Sequence, residues 1–421
     1  MCNSNYNGFS GTPYSISAYL VCGNVRFFIF LGYFIIIFEP WSTNSITMSL
    51  EIKEIVSPRD RKQFVLFPFH HYRNSKYWVP PMIKGELETL SPQTNPAYDH
   101  CEARLLLALK DGKPVGRIAG IINHRFIEEW NRKDARFSWF ETIDDPEVSG
   151  LLLSTIEDWA RSKGMERIIG PMGFTTFERQ GILIKGFDEM PTFAGIYNYD
   201  YYPARLEASG YEKEIDYVEY EVKVPDSIPE KAVKIRDMIV QRYNLRSLKA
   251  DTTREMLPYA DPVFRVINAA YKPLYGFTSL TERQIEYFVK RYFSFIKPDY
   301  TTAVLDQHGQ VLGFQVSMPS MSRAFRRARG RLFPLGWYHV LKAMKNPVRL
   351  DILLVGVLPE YQSKGINSIF MTDMTQIAIE RGVQFAESNA ELEENVKVQS
   401  FWRYFDTRQH RGSRIYQKSL V

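Results

Sequence analysis

The sequence predicts an α/β (α+β) fold made of two successive halves, each a mixed β-sheet flanked by helices. Three observations lead there. At 421 residues the chain exceeds one ordinary domain and can bury two sizeable cores. Its apolar (45%) and charged (24%) fractions are those of a globular protein. The order strand, helix, hairpin, strand, helix, strand can be traced twice, in the succession of elements more than in identical residues.

Residues 1–47 form a leader unlike the rest. Asn, Ser, Gly and Tyr dominate its start, and the apolar run 27–38 is short for a membrane span, which needs ~20 residues. Three readings stay open: translated sequence upstream of a true start at Met48, a membrane anchor, or a signal peptide with a poor cleavage site.

The first half, 48–224, opens with a strand at 50–56 and a helix at 59–72 with an aromatic face. Strands at 105–109 and 115–122 flank the turn dipeptide Asp111-Gly112, a hairpin signal. A strand at 137–142 leads to Asp144-Asp-Pro-Glu147, a helix start with acids in its first turn and Pro near N1. The helix 148–162 carries Leu152, Ile156, Trp159 and Ala160 on one face, ends at Lys163-Gly164, and is followed by a strand at 167–169. A Gly/Pro-rich aromatic wrap fills 170–203; long irregular segments of this kind are functional or structural covers.

Pro225-Asp-Ser-Ile-Pro229 marks the boundary to the second half, 225–421. Helices at 231–243, 256–271 and 281–295, a strand at 245–249 and a hairpin at 301–318 follow. An arginine-rich insert, 322–345, precedes a strand that ends at Pro359. A turn containing Gly365 then opens a helix with Ile366, Ile369, Phe370, Met374 and Ile377 on its apolar side, followed by a strand at 383–387 and a last helix and strand.

Composition excludes several classes. A net charge of +5 is too mild to argue for nucleic-acid binding, and none is expected. Cys101 is the one cysteine outside the leader, so the body has no disulfide framework and suits a reducing, cytoplasmic compartment. The seven histidines show no metal-ligand spacing, and no metal is expected. Arg323, Arg326, Arg327, Arg329 and Arg331 stand beside Leu332, Phe333, Leu335, Trp337 and Tyr338, the composition of a surface resting on anionic lipid at a membrane face; a solvated loop or a contact to nucleotide phosphates has the same composition.

The chemistry concentrates after 353. A strand that turns through Gly365 into a helix leaves backbone N–H groups aligned with the positive helix end, a site for phosphate. The corresponding turn of the first half, 143–149, carries two aspartates and a glutamate that would repel a pyrophosphate.

The segment Pro359-Glu-Tyr-Gln362-Ser-Lys-Gly365-Ile-Asn367, with Asn395 and the Phe401-Trp402 helix, resembles the acyl-CoA loop of GNAT acyltransferases, Asn367 standing where the pattern has a small residue. Tyr77-Trp-Val-Pro-Pro81, Gly116-Arg-Ile118, Phe140-Glu-Thr-Ile-Asp-Asp145, Gly170-Pro171, Gly181 to Asp188, Tyr201-Tyr202 and Gly210 to Asp216 widen the resemblance to two-domain bacterial GNAT-like proteins, a family that includes the bacterial ceramide synthases. The resemblance implies a tandem GNAT-like acyl-CoA N-acyltransferase fold, with acyl-CoA bound in the second half only. It implies an oxyanion donor from the backbone near Val355 and Val357, pyrophosphate contacts from Gln362, Ser363, Lys364, Gly365, Ile366 and Asn367, and a supporting Asn395. Glu387 is the expected base, with Asn389 beside it. Many relatives place a tyrosine where this chain has Trp402, so water, Tyr404, Glu141 and Glu178 stand as substitutes for protonating the thiolate. The implied acceptor is a long-chain, sphingoid-type amine. Another small amine, a tRNA-dependent transfer or a non-catalytic acyl-CoA-binding protein are the alternatives.

Overall fold

The computed structural model describes residues 19–22, 25–30, 33–38 and 49–421. They fall into two units, Met1–Ser49 and Leu50–Val421. In the first, β1 (Tyr19–Cys22), β2 (Val25–Phe30) and β3 (Tyr33–Phe38) form an antiparallel sheet in that order. The apolar run 27–38 falls largely on β2 and β3, whereas the start at Met48 and the rest of the leader lie outside the described residues. Among the described residues no helix is long and apolar enough to cross a membrane.

The second unit holds one 14-stranded sheet. Its first half contributes β4 (Leu50–Glu54), α1 (Pro58–His71), α2 (Ile83–Thr89), β5 (Cys101–Lys110), β6 (Lys113–Asn123), α3 (His124–Trp130), β7 (Asp134–Thr142), α4 (Pro146–Ser162), β8 (Arg167–Gly170), β9 (Ile182–Lys185), α5 (Tyr202–Ala208) and β10 (Glu212–Lys223). Its second half contributes α6 (Glu230–Arg242), β11 (Arg246–Ser247), α7 (Thr253–Met256), α8 (Ala260–Tyr271), α9 (Glu282–Tyr292), β12 (Thr301–Leu305), β13 (Val311–Pro319), α10 (Ser322–Ala328), α11 (Gly336–Lys345), β14 (Arg349–Val357), α12 (Ile366–Glu380), β15 (Phe385–Ser388), β16 (Glu391–Leu392), α13 (Val396–Trp402) and β17 (Thr407–Ser419).

Local chemistry explains the helix starts. Ser57 accepts from the Asp60 N–H and Asp60 reaches back, a full capping box; Thr281 and Gln284 repeat it at α9. Helix α4 lies so close to β6 that a Cβ on Gly120 would meet Trp159 at 2.8 Å and Ile156 at 2.9 Å. Leu152, Leu153, Ile156 and Ala160 are thereby sealed against Ile118, Phe137 and Ile168.

The strand order is β11-β12-β13-β14-β15-β10-β17-β8-β7-β6-β5-β4. The two expected sheets are the two ends of this single sheet, and the strands that join them are exchanged. The first half's β10 pairs with β15, while the second half's β17 pairs with β8; β10 and β17 run antiparallel side by side at the centre. The break at 225–229 therefore separates the halves along the chain while hydrogen bonds run across it.

Candidate active site

Strands β14 and β15 run parallel for four residue pairs, Arg349↔Phe385 to Ile352↔Ser388. The Asn389 N–H donates to the Ile352 carbonyl (3.0 Å) and its side-chain amide to the Leu353 carbonyl (3.3 Å), the last stitches before the strands part. At the same place β14 slips register against β13, with Leu353 as the extra residue. Peptide groups alternate in direction along a strand. The Leu358 N–H donates to Leu312 on the β13 side at 2.8 Å, so the peptide groups of Val357 and Val355 face away from β13, into the fork. Their carbonyls agree: Val355 accepts from the Tyr271 hydroxyl (2.9 Å) and Val357 from the Gln362 amide (3.3 Å). The N–H groups of Val355 and Val357 thus line the opening as donors.

Beyond the fork a short turn, Pro359–Tyr361, leads to Gly365 at φ 80°, a left-handed conformation that glycine adopts without penalty. Gly365 caps α12 and no side chain satisfies the helix's first N–H groups, unlike α1, α4 and α9 with Ser57, Asp145 and Thr281. A Cβ on Gly365 would come within 2.5 Å of Ile239 on α6. Lys364 holds its ammonium 4.1 Å from the Tyr361 ring centre, and the buried Asn367 Oδ1 has no hydrogen-bond partner among the described residues. Ser363 and Gln362 are exposed, while Ile366 is packed under the helix.

Two residues before the fork, a row of charged side chains crosses one face of the sheet. Asp351 pairs with Glu387, Glu387 with Glu221, and Glu221 with Arg408. Arg349 bridges Glu387 (2.9 Å) and Glu221 (2.6 Å), and Arg411 holds Glu219 (3.1 Å). Burial pushes Glu387 up to about 7, against the pull of Arg349. Asp351 is fully buried and neither carboxyl oxygen has a hydrogen-bond partner among the described residues. Burial, then the adjacent Glu387, drives it well above the ordinary carboxylate range. A carboxyl raised to about 7, a second raised carboxyl beside it and two peptide donors thus lie close to one fork.

The other expected site residues have different places. Asn395 caps α13, accepting from Val398 N–H at 3.4 Å. Tyr404 lies beyond α13 and is 84% exposed, away from the buried row. Trp402 is buried and donates its indole N–H to Glu391 (3.0 Å), whose carboxyl is raised by burial to about 7. Glu141 is ion-paired with Arg117, and Glu178 accepts from the Thr175 N–H and hydroxyl. Asp351, Arg349 and Tyr271 escaped the sequence reading. The first had a signal, the lone acid of a strand that is apolar after Arg349; Tyr271 had none, because only the fold brings the end of α8 to β14.

The first half has the same fork, but filled. β7 and β8 pair only from Asp134↔Arg167 to Arg136↔Ile169. At the end of β7 the Thr142 N–H donates to the Tyr202 hydroxyl (3.0 Å), and the Thr142 carbonyl accepts from Tyr201 (2.7 Å) and Tyr202 (3.1 Å). His71 contacts both hydroxyls through Nε2 and burial lowers it to about 4, so the cluster is neutral. Asp145 caps α4 by accepting from Glu147 N–H (3.0 Å), and Asp144 pairs with Arg205 (2.6 Å).

No family model matches the chain. It is 26% identical to the protein YghO of Escherichia coli over 385 residues, 90% of this chain and 97% of that protein. It is also 26% identical, over 400 residues, to a protein of Caulobacter vibrioides named bacterial ceramide synthase, covering 90% and 99%. Among solved structures it resembles a tandem GNAT protein from the clavulanic acid biosynthesis pathway, with a TM-score of 0.50, 12% identity and coverage of 89% and 99%. The glucosamine N-acetyltransferase region of a fungal multi-domain enzyme matches with a TM-score of 0.52 at 13% identity, covering 88% of this chain and 38% of that one. The fold is therefore that of a tandem GNAT protein.

Proposed function

We propose that the chain is a GNAT-like N-acyltransferase that transfers a fatty acyl group from acyl-CoA to a long-chain, sphingoid-type amine, giving a ceramide-like amide. Its likeness to the two relatives and to the tandem GNAT structure supports this. The observation that carries this reading is the open fork beside the uncapped N-terminus of α12. A thioester can enter there between β14 and β15 while its pyrophosphate meets the bare N–H groups of α12. Gly365 permits the close approach, and Lys364 supplies a positive charge nearby.

Acyl-CoA supplies an activated carbonyl; the chain's residues do the rest. The Val355 and Val357 N–H groups stabilise negative charge growing on the carbonyl oxygen. The amine nitrogen attacks the carbonyl carbon, the C–N bond forms, the C–S bond breaks, and the CoA thiolate leaves. Glu387 takes the proton that the amine gives up, directly or through water, and its position near neutrality suits that task. Arg349 fixes its orientation. The thiolate takes a proton from solvent, its conjugate acid having a pKa of ~8.5. The filled fork and self-capped α4 support the assignment of the donor to the second half alone. The acceptor assignment leans on the ceramide synthase relative and on the apolar wall of Phe193, Met318, Met321 and Leu353 beside the carboxyl row.

Incubating purified protein with sphinganine and acyl-CoAs of several chain lengths, read by mass spectrometry, tests the reading. An N-acyl product with stoichiometric CoA is expected. CoA release only with a different amine would overturn the acceptor, and neither product would overturn the activity.

A further inference from the structure

We infer that the hairpin of α10 and α11 is a bilayer-docking platform, fitted to anionic lipid and placed to pass a lipid amine to the fork. The inference rests on the long-chain acceptor proposed above for its purpose, and on separate geometry for its existence. The stretch 321–345 contains five arginines, two lysines and no carboxylate. Arg323, Arg327, Arg329, Arg331, Lys342 and Lys345 are exposed, and among the described residues none of them forms an ion pair. In the connection between the helices and along α11, large apolar side chains stand in solvent: Phe333 (78% exposed), Leu335 (67%), Leu341 (57%), Tyr338 (52%) and Trp337 (46%). Six such residues within ten positions, counting Leu332, make a continuous patch rather than scattered exposure.

The patch is held in shape. The Trp337 N–H donates to Leu332 (2.8 Å) and its indole to Pro334 (2.9 Å), while the Gly330 carbonyl accepts from Ile83 of the first half (3.0 Å). The opposite side of the hairpin is apolar core: Ala324, Phe325, Val340 and Met344 pack on Phe193, Met318 and Leu353. Leu353 is the bulged residue at the fork. One element therefore presents an apolar, basic-rimmed face outward and rests on the reaction strand inward. An anionic bilayer matches both features, since aliphatic tips enter the acyl region while arginines meet phosphates. A polyanion such as RNA would use the arginines and leave Phe333, Leu335 and Leu341 in water.

Flotation of the full chain with phosphatidylcholine vesicles, with and without phosphatidylglycerol, tests this. Binding is expected only with the anionic lipid, weakening as salt rises. Replacing Arg323, Arg327, Arg329 and Arg331 by Gln should weaken it by roughly fivefold per arginine, and Phe333→Ser with Leu335→Ser should weaken it without changing the salt dependence. Circular-dichroism melts keep the two variants comparable, and the arginine set, being on the surface, remains informative if the Ser pair melts early. No vesicle binding, wild-type binding by both variants, or tighter binding to an RNA homopolymer than to vesicles would each overturn the platform. Acylation in detergent micelles separates this from the proposed function. Absent product with intact, variant-sensitive vesicle binding removes the substrate reading and leaves the platform. Product formed equally well from vesicles by the variants and the wild type removes the platform and leaves the substrate reading.

Discussion

Glu387 sits where a small change in pH changes its charge. Its folded position near 7, against an ordinary 4.5, predicts that kcat/KM rises with pH through about 7 and then levels. Glu387→Gln should abolish that rise and lower the plateau by roughly a hundredfold; an unchanged pH profile would remove Glu387 from proton transfer. The sign for stability is opposite. Folding favours the protonated form, so the contribution is complete below about 4.5 and is lost as pH climbs to about 7. Urea titrations of wild type and Glu387→Gln should therefore diverge across that window and run parallel above it. Asp351 carries a second prediction. Because burial favours its uncharged form, Asp351→Asn should cost less stability at pH 7 than Asp351→Lys, which forces a charge into the same buried place, with urea titration as the measure. The strand pattern made residues 353–357 readable, and it marked Asp351 only as the lone acid of β14. Its meaning depends on Glu387 lying opposite, and a pairing partner 36 positions away is invisible to local periodicity.

At the scale of elements, the two strand–turn–helix junctions make opposite use of one geometry. Both junctions can be located in the sequence, because Gly365 and the Asp144-Asp145 pair act locally, through backbone angle and capping. The sequence did not show the forks, which depend on where β15 and β8 leave their partners, nor the tyrosines that fill the first one. Gly365→Ala should cost roughly 1–2 kcal/mol for the left-handed backbone and push against Ile239, lowering acyl-CoA affinity in calorimetry. Gly365→Glu adds a carboxylate at the helix end and should abolish binding. Asp145→Ala should cost about 1 kcal/mol in a thermal melt and leave acyl-CoA affinity as it was. A large loss of affinity there would mean that the first half does hold the donor.

Across the whole molecule, the exchange of β10 and β17 decides how the halves can fold. In β10 the buried Ile215 and Tyr217 alternate with polar residues until the register slips at Glu219/Tyr220, and β17 is mostly polar with Ile415 and Tyr416 adjacent, so neither pattern names a sheet partner. Sequence alone therefore yields two halves and a boundary near 225, while the partner of each central strand comes only from the assembled sheet. The exchange has a physical consequence. Without β17, the first half exposes the β8 edge and the face of β10; without β10, the second half exposes β15 beside the carboxyl row. Arg411 and Glu219, both buried and paired across these two strands, would be separated into water-poor edges without each other. Residues 50–224 and 225–421 expressed apart should each be insoluble or lack cooperative melting, whereas co-expression should restore one soluble complex. The intact chain should melt in a single transition, with β10 and β17 amides among the last to exchange hydrogen. Two separate transitions, or a 225–421 fragment that folds alone and binds acyl-CoA, would show that the shared strands are dispensable to the donor site. The fork between β14 and β15 would then owe its shape to the second half's own packing.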